Sequence, residues 1–108
     1  MEVKSYEENE TLIIEVSGKL DTLNAPQFGV ALEALLKQEK KSYLLDLSKV
    51  TFLSSSGLQV LLAGAKTALK QKVPYKVFGM SEMVHDVFFL SGFNHFIDSF
   101  QTKEEALA

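Results

Sequence analysis

Three consecutive serines, Ser54, Ser55 and Ser56, stand directly before Gly57 and an apolar stretch that opens with Leu58. One hydroxyl is enough to cap a helix, and here there are three. The first turn of a helix holds unpaired backbone N–H groups at the positive end of its dipole. A phosphate carried on one of these serines would be tolerated by its own domain. It would also add about −1.5 to −2 charges and three acceptor oxygens to the surface. A partner packing apolar or acidic groups there would then be repelled. The same residues read as a redundant N-cap, which taken alone is the commoner use of such a cluster.

Other chemistry is sparsely provided. The chain has no cysteine, which excludes disulfides, thiolate metal sites and cysteine nucleophiles. Its two histidines, His85 and His95, lack the spacing of a metal site, so no metal or cofactor is expected. Ser-Ser-Ser-Gly is not a Gly-x-Ser-x-Gly nucleophile elbow, and no phosphate-cradling G-x-x-x-x-G-K-[ST] loop is present. The reading is therefore non-enzymatic. Asp46 reads as a carboxylate that fixes a loop by accepting hydrogen bonds, in preference to a ligand for metal or nucleotide. Asp21 is divided between capping the Thr22–Asn24 turn and shaping a partner surface. A net charge of −3 supplies no basic face for nucleic acid. The one dense basic run, Lys37 to Lys41, is interrupted by Glu39 and reads as a solvated helix end. No apolar stretch approaches the roughly 20 residues of a membrane span, and the N-terminus shows no secretory pattern. A cytoplasmic domain without membrane insertion is expected.

The elements that must position the serines follow from periodicity. Leu12, Ile14 and Val16 alternate through Thr11–Ser17, which predicts a half-buried strand ended by Gly18. A weaker strand from Val3 to Glu7 completes an opening hairpin. Asn24, Pro26 and Gln27 suggest a cap, a first turn and a capping box. Phe28, Ala31, Leu32, Leu35 and Leu36 then predict a helix to about Lys40. Tyr43–Leu47 reads as a central strand, with Val50–Leu53 leading apolar residues into the serines. Leu58, Leu61, Leu62, Ala65 and Leu69 predict a second helix, ending before Pro74. Tyr75 to Gly79 reads as a strand. Ser81 caps a third helix with a buried stripe of Met83, Val84, Val87 and Phe88. A short strand at Phe96–Asp98 and a capping box at Thr102–Glu105 close the chain. The expected fold is α/β: one domain over residues 1–108, with a mixed sheet of four to five strands and about four helices. Functional loops should lie at the carboxyl ends of strands, here Gly18–Thr22 and Ser48–Gly57. Phe88, Phe89, Phe93, Phe96 and Phe100 read mostly as core. Phe88 and Phe89 are adjacent on the helix, so one of them is available for a weak homodimer or partner contact.

The string Asp46-Leu47-Ser48-x-Val50-x-Phe52-Leu53-x-Ser55-Ser56-Gly57-Leu58 resembles the signature of the STAS-domain family in its anti-sigma factor antagonist branch, approximately D-L-S-x-V-x-F-[ILM]-D-S-[ST]-G-L. Gly18-Lys19-Leu20-Asp21 resembles that family's G-x-[LI]-D after the second strand. Length and element order agree over nearly the whole chain. The resemblance implies phosphorylation of Ser55, with Ser56 and then Ser54 as the next acceptors, by an anti-sigma factor that is also a serine kinase. It implies that the unphosphorylated form binds that kinase and releases the sigma factor, that phosphorylation blocks binding, and that a PP2C-type phosphatase restores it. The partner surface it implies comprises Asp21, Thr22, Ser54, Ser55, Ser56, Gly57 and Leu58. In one respect the chain departs from the pattern: Ser54 stands where the family usually has Asp, which removes a negative charge beside the acceptor hydroxyl. A non-switching scaffold, such as a subunit of a lipid-transport ATPase complex, fits that departure. A small nucleotide-binding protein or enzyme has only the serine cluster in its favour.

Overall fold

The computed structural model describes residues 1–108. Five strands form one sheet in sequential order: β1 (Glu2–Glu8), β2 (Thr11–Leu20), β3 (Ser42–Leu53), β4 (Tyr75–Phe78) and β5 (Asp98–Phe100). β1 and β2 form an antiparallel hairpin, and every later pairing is parallel. Each parallel step needs a crossover, supplied by α1 (Ala25–Leu35), α2 (Ser55–Gln71) and α3 (Glu82–Leu90). Because the strand order never reverses, right-handed crossovers place all three helices on one face. A 3₁₀ turn (Phe93–His95) precedes β5, and α4 (Lys103–Leu107) ends the chain.

The main core lies under the crossover helices. Leu12, Ile14 and Val16 of β2 meet Tyr43, Leu45 and Leu47 of β3, Phe28 and Leu32 of α1, Leu58 and Leu61 of α2, and Val84 and Phe88 of α3. A second, smaller cluster of Ile13, Leu44, Phe78 and Ala106 forms where α4 covers the opposite face. β2 is therefore buried on both sides along Leu12–Ile14 and is not the half-buried strand its alternation suggests.

Several boundaries differ from the periodicity. Gly18 does not end β2. It sits at a bulge in the β2–β3 pairing with φ +96, a conformation that suits glycine, and the strand runs on to Leu20. β3 continues unbroken through Ser48 and Lys49, where Asp46 Oδ1 accepts from the Ser48 backbone N–H (2.9 Å) and hydroxyl (2.6 Å). α1 stops at Leu35, and the carbonyls just beyond it are claimed by other elements. Gln71 Nε2 donates to Leu36 O (2.9 Å), and the Tyr43 hydroxyl donates to Gln38 O (2.7 Å). Lys40 and Lys41 pair with Glu7 and Glu10 of the opening hairpin, so they do not serve the helix end. β5 begins at Asp98, two residues later than expected, since Gly92 at φ +79 starts the 3₁₀ turn that buries Phe93 and Ile97. That turn leaves Phe96 outside, and Met83 and Leu69 are likewise exposed despite their places in apolar stripes; of the adjacent Phe88 and Phe89, Phe88 is buried and Phe89 exposed.

Candidate functional site

The site is built where the carboxyl end of β2 meets the start of α2. Leu20 pairs with Leu53 at the end of the β2–β3 ladder, so the residues after each strand emerge side by side. Ser54 is the N-cap of α2, with extended backbone at φ −90 and ψ 169. Its hydroxyl accepts from the Gly57 backbone N–H (3.1 Å) and donates to Leu20 O (2.8 Å). The Ser54 backbone N–H donates to the same carbonyl at 2.9 Å. Both lone-pair directions of Leu20 O are thus filled by one residue, and the helix start is pinned to the end of β2.

Gly57 explains why the approach is so close. A Cβ there would lie 2.8 Å from Leu20 O, 3.0 Å from Leu20 Cβ and 3.1 Å from Leu53 Cδ1. The requirement is for space against β2 and not for an unusual φ. Leu58 follows into the core at 3% exposure. Gly57 and Leu58, expected on the partner surface, are both buried in the isolated chain and support the helix start.

Ser55 is the first helical residue and is exposed; Ser56, next in the turn, is half-buried. With the N–H groups of Ser54 and Gly57 engaged, those of Ser55 and Ser56 remain at the positive end of a helix of 17 residues. The fold so divides the serine cluster. One hydroxyl is spent on capping, and the two after it stand at an anion-tolerant helix end.

Across from them, Asp21 Oδ1 accepts from the Asn24 backbone N–H (2.9 Å), and Asn24 Nδ2 donates to Lys19 O (2.9 Å). Asp21 therefore caps the β2–α1 turn. Asn24 itself is αR and makes no side-chain cap, so the expected capping box at Asn24–Gln27 does not form. Thr22 is exposed beside it. Two exposed apolar side chains flank these segments: Leu23 in the turn, which the motif string does not contain, and Phe52 near the end of β3, which it does. The pairing of Leu20 with Leu53 brings the two segments that carry them together, but nothing in the sequence announces their exposure. The Leu20 carbonyl carried no sequence signal at all, since any residue supplies one.

A parallel sheet with three crossovers on one face, entered by a hairpin and carrying a serine-started second helix, is the architecture of a STAS domain. The chain belongs to the STAS domain family, whose model matches residues 2–106. It is 28% identical over 85 residues to the anti-sigma-B factor antagonist of Listeria monocytogenes, covering 79% of this chain and 75% of that one. Its fold is similar to that of an anti-sigma factor antagonist from Mycobacterium paratuberculosis, with TM-score 0.85 and 24% identity, over 98% of this chain and 90% of that one. It is also similar to the Bacillus cell fate determinant SpoIIAA in its phosphorylated form, with TM-score 0.71 and 20% identity, over 98% and 96% of the two chains. No helix of the chain is long and apolar enough to cross a membrane.

Proposed function

We propose that the chain is an anti-sigma factor antagonist switched at Ser55. In the unphosphorylated state the start of α2 and the β2–α1 turn dock on an anti-sigma factor that is also a serine kinase, and the sigma factor is released. The kinase transfers the γ-phosphoryl group of ATP to the Ser55 oxygen, whose proton is lost, and the complex parts. A PP2C-type phosphatase returns the hydroxyl by hydrolysis. These partners place the switch in the cytoplasm.

The observation that carries this reading is the exposure of Ser55 at the first position of α2, beside a cap that Ser54 supplies independently. A phosphate on Ser55 breaks no hydrogen bond of the fold. It meets unpaired backbone N–H groups, and it turns a surface that includes Leu23 and Phe52 strongly anionic. If the dianion costs the complex ~3–4 kcal/mol, affinity falls by roughly 10²–10³-fold.

Intact-mass measurement of the chain from its native cells, followed by site mapping, is expected to find one phosphate on Ser55. In co-purification, Ser55→Ala should hold the kinase constitutively and Ser55→Asp should lose it. Absence of phosphate from Ser54, Ser55 and Ser56, together with equal retention of one partner by wild type and both variants, would refute the switch and favour a constitutive scaffold.

A further inference from the structure

A groove of about 500 Å³ opens at the far end of α2, between that helix and the segment after the 3₁₀ turn. Leu62, Ala65, Leu69 and Phe96 line it, with Tyr75 beneath. Leu69 and Phe96 are large apolar side chains left 76% and 70% exposed, and they come from distant parts of the chain to the same groove. Its base is rigid. The buried Tyr75 hydroxyl donates to Leu61 O (3.0 Å), and it sits where a Cβ on Gly64 would be only 2.6 Å away. Alongside run Lys66 and Lys70, one turn apart on a helix that contains no acidic residue, in a chain of net charge −3. Neither lysine takes part in the four ion pairs of the fold.

The outer face of α3 has the opposite character. Val84 and Phe88 take its inner face into the core. Glu82, Asp86 and Leu90 then recur at every fourth position on the outer face, with Met83 beside them. Met83 and Leu90 are 59% and 89% exposed, and Glu82 and Asp86 are also outside the ion pairs. One surface of the chain is apolar with two lysines along its edge, Glu33 of α1 approaching the same helix through the Thr67 hydroxyl (3.1 Å), and another is apolar with an acidic edge.

We propose that these are the two halves of one self-complementary interface. In a two-fold dimer of this chain, the acidic face of α3 in each copy lies along the α2–Phe96 groove of the other. Pairing groove with groove would set lysines against lysines, and pairing α3 with α3 would set carboxylates against carboxylates. Only the crossed arrangement matches both charge and apolar surface. Phe96 closes the 3₁₀ turn that packs against α3, so the two halves are neighbours on the helical side of the sheet, and an isologous interface requires that one two-fold axis make both contacts. At roughly 100 Å² for each of four large side chains, the crossed pair covers on the order of 800 Å² of apolar surface over both copies. With the flanking charges it reaches about 1,000 Å², the lower end for a specific interface, so the dimer is weak and concentration-dependent. The groove residues of α2 lie roughly 10 to 20 Å along the helix from Ser55, so dimerisation leaves the helix start open.

Sedimentation equilibrium of the full chain, from micromolar to about millimolar concentration, tests this with two charge-reversed variants. The wild type should dimerise, and more weakly at high salt. Lys66→Glu with Lys70→Glu, and separately Glu82→Lys with Asp86→Lys, should each be monomeric, at least tenfold weaker in self-association. Mixed in equal amounts, the two variants should dimerise again, because each groove then meets an α3 of opposite charge. All four positions are exposed, so folding is retained, and circular dichroism checks it. Phe96→Ser should weaken the dimer without changing its salt dependence. A wild type that stays monomeric throughout, growth beyond dimer, or a mixture that fails to pair would each overturn the proposal.

Discussion

Ser54 stands where the signature that the sequence resembles has Asp, and its two hydrogen bonds make the consequence calculable. Ser54→Ala removes the acceptor for the Gly57 N–H and the donor to Leu20 O. Loss of an N-cap costs about 1 kcal/mol. The second bond adds about 0.5–1.5 kcal/mol, and no more, because Leu20 O keeps the Ser54 backbone N–H and is not orphaned. The total is about 2 kcal/mol, or a fall in Tm of roughly 10 °C for a chain of this length. Ser54→Asp behaves differently. A carboxylate still accepts from the Gly57 N–H and gains about 0.3–1 kcal/mol from the helix dipole. It cannot donate to Leu20 O, and it sets negative charge against that carbonyl. The expected stability order is therefore wild type, then Ser54→Asp, then Ser54→Ala, with Asp about 1 kcal/mol below wild type. Urea denaturation at unchanged m measures it. Ser55→Ala, which removes an exposed hydroxyl, serves as control and should stay within about 0.5 kcal/mol of wild type. A Ser54→Ala protein as stable as wild type, or a Ser54→Asp protein less stable than Ser54→Ala, would refute the reasoning.

Gly57→Ala sets a helix-propensity gain of up to about 1 kcal/mol against overpacking of about 1–3 kcal/mol on Leu20 and Leu53. The variant should be less stable than wild type, with amide NMR shifts centred on Leu20, Asp21 and Ser55; unchanged or raised stability would show that α2 is not held against β2 by close contact. Burial, with Glu33 adding to it, raises the pKa of Tyr75 far above its ordinary value of 10.0. The stability this residue contributes is fully present below about pH 10 and is lost as pH rises through the folded value, because the unfolded tyrosine ionises first. Unfolding at pH 9 to 12 should show that decline, and Tyr75→Phe should flatten it.

The legible parts of the sequence were those decided by neighbours in the chain. Ser81 caps α3 and Thr102 forms a capping box with Glu105, as their local spacing suggests. The order of strands and helices followed in the same way, since each burial stripe repeats within its own element. What stayed hidden was decided across the fold. α1 ends where Gln71 and Tyr43 reach the carbonyls that follow it, at 35 residues' and a few residues' remove in sequence. Met83 and Leu69 fit apolar stripes, yet nothing packs over them. Ile13 reads as the outward residue of an alternating strand, and it is buried only because α4 returns from the end of the chain to cover it. At the site, spacing singled out the serines but could not say which hydroxyl would be spent on the cap. That depended on Leu20 O lying within reach of Ser54.

The neutral cap also bears on how the proposed switch would work. An aspartate at position 54 would stand about 6 Å from a phosphate on Ser55. In a solvent-exposed setting, its repulsion of a charge of −1.5 to −2 is about 1 kcal/mol. Ser54 removes that repulsion while still satisfying the Gly57 N–H, and its donated proton ties α2 to β2 in a way a carboxylate could not. The phosphorylated chain thus has less reason to loosen its own helix start than a relative with two acidic groups there. The electrostatic cost of the modification falls on whatever docks against Leu23, Phe52 and Ser55, and the domain itself carries little of it.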